Sequence, residues 1–491
     1  MRVRMLRAMM VVLVLMVVAG GCATDRYGVR EVIDAVAKMD SARDGTAATQ
    51  PGRGRYAVPV AASVAPTGTM LHQLITEALA RNPEIHAAAE TVRSRAERIG
   101  QVTALADPML MTKTQPEPTP TAGGDIFFIL GVQQNFPIPE KLDRRGRIAY
   151  HETLDALRAW EQARLYVIAE VKRAYYRLYV LDRTIALTEE NQALLRGLVE
   201  VAQGQAAAGR APQQDALRAQ VESSNLESKL LTLHQQRSSS AAMLNTLVRR
   251  DPLTEVPTPP DFDPNETEHE VKGLLAVAAE ANPELRAFED RLERDRQALR
   301  LAELAYWPDF TLGFEWMSMQ PRDAFEPPIN PATGMRPPVN RMSEEGADMW
   351  GILFGVTIPI WFDKIEAGIR EARHKLEATV HQRAATRDRI GFRIVDALER
   401  VGAQQRLARL IDTEIVPQSR QAYDVSRDGY AVGANDFEAV INNWQRWYAF
   451  SVEYHRALGE LERSVADLEL ELGMSLADAA LRAGSREGAS R

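Results

Sequence analysis

The sequence predicts a mainly α-helical chain with a small β part, built as two copies of one unit, and three observations predict it. The first is internal repetition. Asn82-Pro83-Glu84-Ile85 recurs as Asn282-Pro283-Glu284-Leu285, and Pro108 as Pro308, both at a shift of 200. Phe136-Pro137-Ile138 recurs as Ile358-Pro359-Ile360 and Gly146 as Gly368, both at a shift of 222, and Gly209 recurs as Gly433. The second is the stretch of about 72 residues between Pro139 and Pro212 that holds no proline. As helix at 1.5 Å per residue it would run roughly 100 Å, more than a compact domain accommodates, so it points to a coiled-coil or tubular architecture. The third is alternation of apolar with small or polar residues in short segments between the helices.

The chain opens on three arginines (Arg2, Arg4, Arg7), an apolar run from Met9 to Val18, and Ala19-Gly20-Gly21 before Cys22, the one cysteine of the sequence. The run is too short to span a bilayer and suits a signal h-region. Residues 1–21 resemble a bacterial lipoprotein signal, which implies a covalent lipid on Cys22. Ala23 and Thr24 follow the cysteine, and the absence of aspartate there favours the outer membrane. Residues 22–69 read as a lipid-anchored tether. Repeat 1 spans 70–250, a linker with five prolines and six acidic residues spans 251–268, repeat 2 spans 269–473, and 474–491 reads as a flexible tail.

Each repeat runs helix, strand, strand, long helix, turn, helix. Residues 70–105 carry Leu71, Leu74, Ile75, Leu79, Ile85, Ala88, Ala89 and Val92 at helical spacing. In repeat 2 the long helix runs from about 362 to 428, with a kink or break expected at Pro417. Residues 213–250 and 436–472 are the returning helices. A weak first strand lies near Met109 to Lys113. In the second, Ile126, Phe128, Leu130, Val132 and Phe136 share a face opposite Gly131, Gln133 and Asn135. Phe310, Leu312, Phe314 and Trp316 alternate with Thr311, Gly313 and Glu315; Trp350, Ile352, Phe354, Val356 and Ile358 alternate with Gly351, Gly355 and Thr357. Aromatic outside and small or polar inside is the pattern of a transmembrane barrel strand.

Four strands cannot close, and an open edge in lipid leaves backbone groups unsatisfied. Several chains must therefore share one barrel. Three copies would place 12 strands around a lumen, whereas two would give a barrel largely filled by side chains. The predicted fold is thus a long α-helical barrel joined to a shared transmembrane β-barrel, four strands per protomer in a homotrimer.

The formal charge of -8 becomes -11 once the three signal arginines are removed, which argues against a nucleic-acid partner. There is no Ser-His-Asp arrangement, no HExxH and no phosphate-binding glycine loop, so no enzyme is expected. No resident cofactor or metal is expected either, because the eight histidines make no metal-ligand spacing. Seven methionines lie in or near the strands: Met109, Met111, Met317, Met319, Met335, Met342 and Met349. Thioethers suit soft cuprous or silver ions, and methionine is also a flexible apolar filler, the role expected here. The Pro- and Asn-rich stretch from about 320 to 346 reads as an outward surface loop.

The double unit, the long helices, the Asn-Pro-Glu openings and Gly429-Tyr430-Ala431-Val432-Gly433 together resemble the TolC-type outer-membrane efflux family over about residues 70–473. Cys22 is similar to the lipoprotein branch. The resemblance implies the exit duct of a tripartite system, passively conducting substrates from an inner-membrane pump and a periplasmic adaptor. The implied substrates are heavy-metal ions or small toxic compounds. The alternative is the conduit of a type I protein secretion system. It further implies that the turns at Gly209, Arg210, Ala211 and Pro212 and at Gly433 and Ala434 form the periplasmic tip where the adaptor docks. The family's closed aperture uses a tyrosine and an arginine near the second turn and two aspartates beyond it. Tyr430 matches the tyrosine, Asn435 stands at the arginine position, and Ala439 and Asn442 stand at the aspartate positions. Asp436 and Glu438 could supply lumenal charge instead, or simply favour the positive end of a helix.

Overall fold

The structure is a computed structural model and describes residues 32–34, 69–121, 123–262, 270–321, 329–335 and 346–489. The signal peptide, Cys22, nearly all of the tether, Met342 and most of 320–346 lie outside the described residues.

Helices α1 (Met70–Arg81) and α2 (Pro83–Thr103) lead into strands β1 (Met109–Thr121) and β2 (Gly124–Phe136). Helix α3 (Pro139–Ala207) and helix α4 (Gln213–Leu247) complete the first repeat. The second repeats the order: α5 (Val271–Ala281), α6 (Pro283–Glu303), β3 (Phe310–Gln320), β4 (Met349–Val356), α7 (Phe362–Leu410), α8 (Val416–Ala431) and α9 (Phe437–Leu472), followed by α10 (Leu476–Ala489). Contacts divide the chain into two units, one built on Arg93–Thr153 and Asp290–Thr379, the other on Leu154–Glu289 and the chain from Val380 on, together with α1.

The first unit holds the sheet, antiparallel in the order β1-β2-β3-β4. Registered partners share a face. One face carries Leu130 beside Trp316 and Trp350, Val132 beside Phe314 and Ile352, and Phe136 beside Phe310 and Val356. The opposite face carries Met111, Gly131, Glu315 and Gly351 in one rung and Met109, Gln133, Gly313 and Leu353 in the next. β1 is longer than its sequence suggests, because Pro116, Pro118 and Pro120 fall inside it. Their spacing of two removes N–H groups from one side only, which an edge strand tolerates. The Lys141 ammonium, at the start of α3, donates to Trp307 O and Asp309 Oδ1, both at 2.8 Å. That pairing fixes the entry into β3 against the long helix.

The second unit shows why Asn-Pro-Glu recurs. The sequence suggests one helix over 70–105, but Pro83 lacks a donor and disfavours helix at the residue before it. Asn82 is accordingly extended, at φ -67° and ψ 125°. Its Oδ1 accepts from Glu84 N at 2.9 Å, and its amide donates to Leu247 O at 3.2 Å. Asn282 does the same in the second repeat. It accepts from Glu284 N at 2.8 Å and Leu285 N at 3.2 Å, and donates to Glu471 O at 2.7 Å. The motif starts one helix and ties it to the end of the last helix of its own repeat. Asn282→Ala is expected to cost about 1–2 kcal/mol from the lost cap and the orphaned carbonyl, read as a lower thermal midpoint; an unchanged midpoint would reduce the motif to a mere break.

Three further departures have physical causes. The break expected at Pro417 is a π turn, Ile411–Ile415, just ahead of it. Proline cannot donate to the carbonyl four residues back, and the widened turn absorbs that mismatch. The tail read as flexible from 474 is instead helical over Leu476–Ala489. Ser475 Oγ accepts from Asp478 N at 3.2 Å and donates to its carboxylate at 2.7 Å, a helix-starting exchange. The helix packs on α5, where a Cβ at Gly273 would lie 2.9 Å from Ala483 Cβ. The described part of the linker is strapped down. The Arg237 guanidinium donates to Val256 O at 3.0 Å and Asn245 to Thr254 O at 2.7 Å, and Phe262 packs on Tyr179 with ring centroids 4.9 Å apart.

Candidate functional site

The two hairpin turns are the same structure built twice. Gly209 and Gly433 both have φ 72°, with nothing within 4 Å of an added Cβ. Backbone conformation alone therefore selects glycine. Arg210 N donates to Gln205 O at 2.9 Å and Gly209 N to Ala206 O at 3.0 Å. Ala434 N donates to Gly429 O at 2.8 Å and Gly433 N to Tyr430 O at 3.0 Å. This paired closure caps the last carbonyls of α3 and α8. Arg210 is exposed and Ala211 half-buried, and Pro212 is the N-cap of α4. Gly433→Ala is expected to cost about 1 kcal/mol through the positive φ alone, measurable as a small drop in midpoint without loss of assembly.

Close to the turns, polar contacts from Gln205, Asp215 and Arg218 tie the second hairpin to the first. The Gln205 amide donates to Ala431 O at 3.1 Å. The Tyr430 hydroxyl donates to Asp215 Oδ2 at 3.2 Å. Arg218 reaches Glu438 at 3.5 Å. Tyr430 is itself only 6% exposed and meets Phe437 edge-on, with ring centroids 5.2 Å apart. Burial first, and then the Asp215 charge, push its hydroxyl up to about 12, so it stays a donor at any physiological pH.

The remaining residues singled out from sequence cluster at the same turn. Asn435 folds over Gly429, where a Cβ would collide with its amide at 2.2 Å. Asp436 is the N-cap of α9 and accepts from Ala439 N at 2.9 Å. Glu438 lies in the first turn of α9, facing Arg218. Ala439 is half-buried and Asn442 exposed. The structure thus gives Asp436 a capping role and Glu438 a charge partner. Sequence reasoning did not find Gln205, Asp215 and Arg218, since nothing local marks a residue whose partner is more than 200 positions away.

It also passed over the aromatic packing behind the tip. Tyr423 stacks on Trp447 at 5.5 Å and Trp444 on Tyr448 at 5.9 Å. Trp444 donates to Asn191 Oδ1 at 2.9 Å, and the Tyr448 and Thr188 hydroxyls share a hydrogen bond of 2.7 Å. Arg420 and Arg427 lie over the rings of Trp447 and Tyr423. Leu195, Leu198, Ala202, Val440 and Ile441 complete this core. The spacing of Trp444, Trp447 and Tyr448 on one helix face was the available signal. Among the described residues no group of three or more His, Cys, Asp or Glu is placed to hold a metal ion, and no helix is long and apolar enough to cross a membrane.

The fold matches solved outer-membrane channels. OprN has a TM-score of 0.68 at 17% identity, covering 82% of this chain and 89% of its own. VceC of Vibrio cholerae gives 0.66 at 19% identity, covering 82% and 96%. CusC, whose structures concern transmembrane channel formation, gives 0.67 at 14% identity, covering 82% and 92%. At these identities the likeness is one of fold. A comparison with curated protein sequences finds no match. The profile of the outer membrane efflux protein family matches residues 74–248 and 274–474, which are the two repeats and well over half of the chain. The chain belongs to the outer membrane efflux protein family.

Proposed function

We propose that three copies of this chain form the exit duct of a tripartite efflux system, passively carrying substrates from an inner-membrane pump and a periplasmic adaptor across the outer membrane. The observation that carries this reading is the sheet. It has one face of mainly aromatic and aliphatic side chains, one face where glycine and polar residues mix with methionine, and two edges, β1 and β4, that pair with no strand among the described residues. In lipid both edges need partners. Residues 109–114 of β1 precede its prolines and are free of them, so they are the part that can take β4 of a neighbouring copy. The lipid on Cys22 would anchor each protomer to the outer membrane.

The paired tips would be the periplasmic end, with Gly209, Arg210, Ala211, Pro212, Gly433 and Ala434 meeting the adaptor. Tyr430 would hold the tip shut through Asp215 rather than by lining the aperture, since its ring is turned into the protomer. In planar bilayers the full-length protein should conduct ions, and Tyr430→Ala should raise conductance or open probability several-fold. A protein that never conducts would overturn the duct reading, and unchanged conductance in the variant would remove Tyr430 from the gate. The substrate class proposed is heavy-metal ions or small toxic compounds. A deletion strain exposed to copper, silver, zinc and cobalt beside dyes and antibiotics should be hypersensitive to one of the two sets. Loss of an exported protein without any such sensitivity would favour the secretion conduit.

A further inference from the structure

Lys113 and Glu315 are the only charged residues in the regularly paired part of the sheet, which comprises 109–114, 128–136, 310–318 and 349–356. Both lie on the face that carries the glycines, and neither lies on the aromatic face. Lys113 stands in the rung of Ile129, Met317 and Met349, and Glu315 in the adjacent rung of Met111, Gly131 and Gly351. Adjacent rungs on one face are two residues, or about 7 Å, apart along the strands. Glycine flanks Glu315 on both sides. A Cβ at Gly131 would lie 3.3 Å from Glu315 Cγ, so this side chain lies along the sheet over Gly131. A Cβ at Gly351 would meet nothing within 4 Å, so the other side is open. Lys113 is exposed and Glu315 half-buried. Among the described residues neither charge takes part in a hydrogen bond or ion pair.

Charges without protein partners need water, and in lipid they are costly. Their confinement to the face opposite the aromatic residues marks that face as the wet one. In a closed barrel it lines the lumen, where rings of charged side chains govern which ions pass. We infer that Glu315 and Lys113 determine the ion selectivity of the barrel, three carboxylates in one ring favouring cations and three ammoniums in the adjacent ring favouring anions. The inference rests on the duct reading, because only a closed barrel makes this face a lumen. The rings are closer together than the roughly 10 Å over which charges act in 0.1 M salt. The wild type therefore reports the balance of the two, and removing one exposes the other.

The test uses full-length protein in planar bilayers, with the permeability ratio of potassium to chloride read from the reversal potential in a KCl gradient. In dilute salt, near 0.1 M, Glu315→Gln should lower the ratio about twofold and Lys113→Gln should raise it about twofold. Glu315→Asp keeps the charge and should keep the wild-type ratio. In about 1 M KCl, where the screening length is about 3 Å, the differences should shrink. A merely structural role predicts neither the opposite signs nor the salt dependence. Gln133→Glu adds a carboxylate on the same face, one rung from Glu315, and should raise the ratio; it tests the claim by a gain if a neutral variant fails to insert. Ratios that do not move, that move the same way for both neutral variants, or that move equally in dilute and concentrated salt would each overturn the inference. Conduction with an unmoved ratio overturns the charge rings alone. A wild type that does not conduct overturns the duct reading and the lumenal placement with it.

Discussion

Ile352→Arg is expected to prevent stable insertion of the assembly. Ile352 sits in the middle of β4, beside Phe314, on the aromatic face, and is 69% exposed in the protomer. If that face meets lipid, a guanidinium at mid-depth costs about 2–4 kcal/mol, and a symmetric trimer incurs it three times. The control lies on the other face. Gln133→Arg places the same charge on the polar side, beside Met109 and Gly313, where water should solvate it. Membrane fractionation and heat resistance of the extracted oligomer distinguish the two. The account predicts loss for Ile352→Arg and retention for Gln133→Arg; equal behaviour would mean that the two faces have been assigned wrongly or that the sheet does not meet lipid.

The second large effect is expected at Trp444, which is 1% exposed behind the tip. Trp444→Ala removes a buried indole, at a cost of about 3–5 kcal/mol for a large aromatic. It also leaves Asn191 Oδ1 without its donor in a site where Asn191 itself is 2% exposed. The two hairpins should then separate at lower temperature, seen as cleavage near 205–215 and 428–436 by a soluble protease well below the wild-type threshold. Leu481→Ala, at a residue 74% exposed on α10, should move the threshold by no more than about 0.5 kcal/mol would. A Trp444→Ala protein as resistant as wild type would show that the aromatic core does not hold the tip together.

The residues that revealed the fold were those with strong local rules. The proline-free stretch between Pro139 and Pro212 became a single helix over Pro139–Ala207, because no proline interrupts its hydrogen-bond ladder and its few glycines are outweighed by good helix formers. The alternation around Phe128–Phe136, Phe310–Trp316 and Trp350–Val356 became a two-faced sheet, because the side-chain period of a strand is two. Asn82 and Asn282 were visible as repeat markers, but their carbonyl partners at Leu247 and Glu471 were not, since those contacts close only when distant helices meet. The helix after Ser475 carried a readable signal in Ser475 and Asp478, and the terminal position masked it. At the tip, the glycine turns were legible from conformation alone. The hydroxyl of Tyr430 and the carboxylate of Asp215 each looked ordinary in sequence, and only the fold makes them a pair.

The central claim is that three copies close one barrel through β1 and β4. Cysteine pairs scanned between residues 109–114 and 349–356 test it most directly, because Cys22 is the one native cysteine. The account predicts that aligned pairs give covalent species up to a trimer and none larger. A ladder that stops at dimers, one that continues past three, or no cross-link at any register would contradict it.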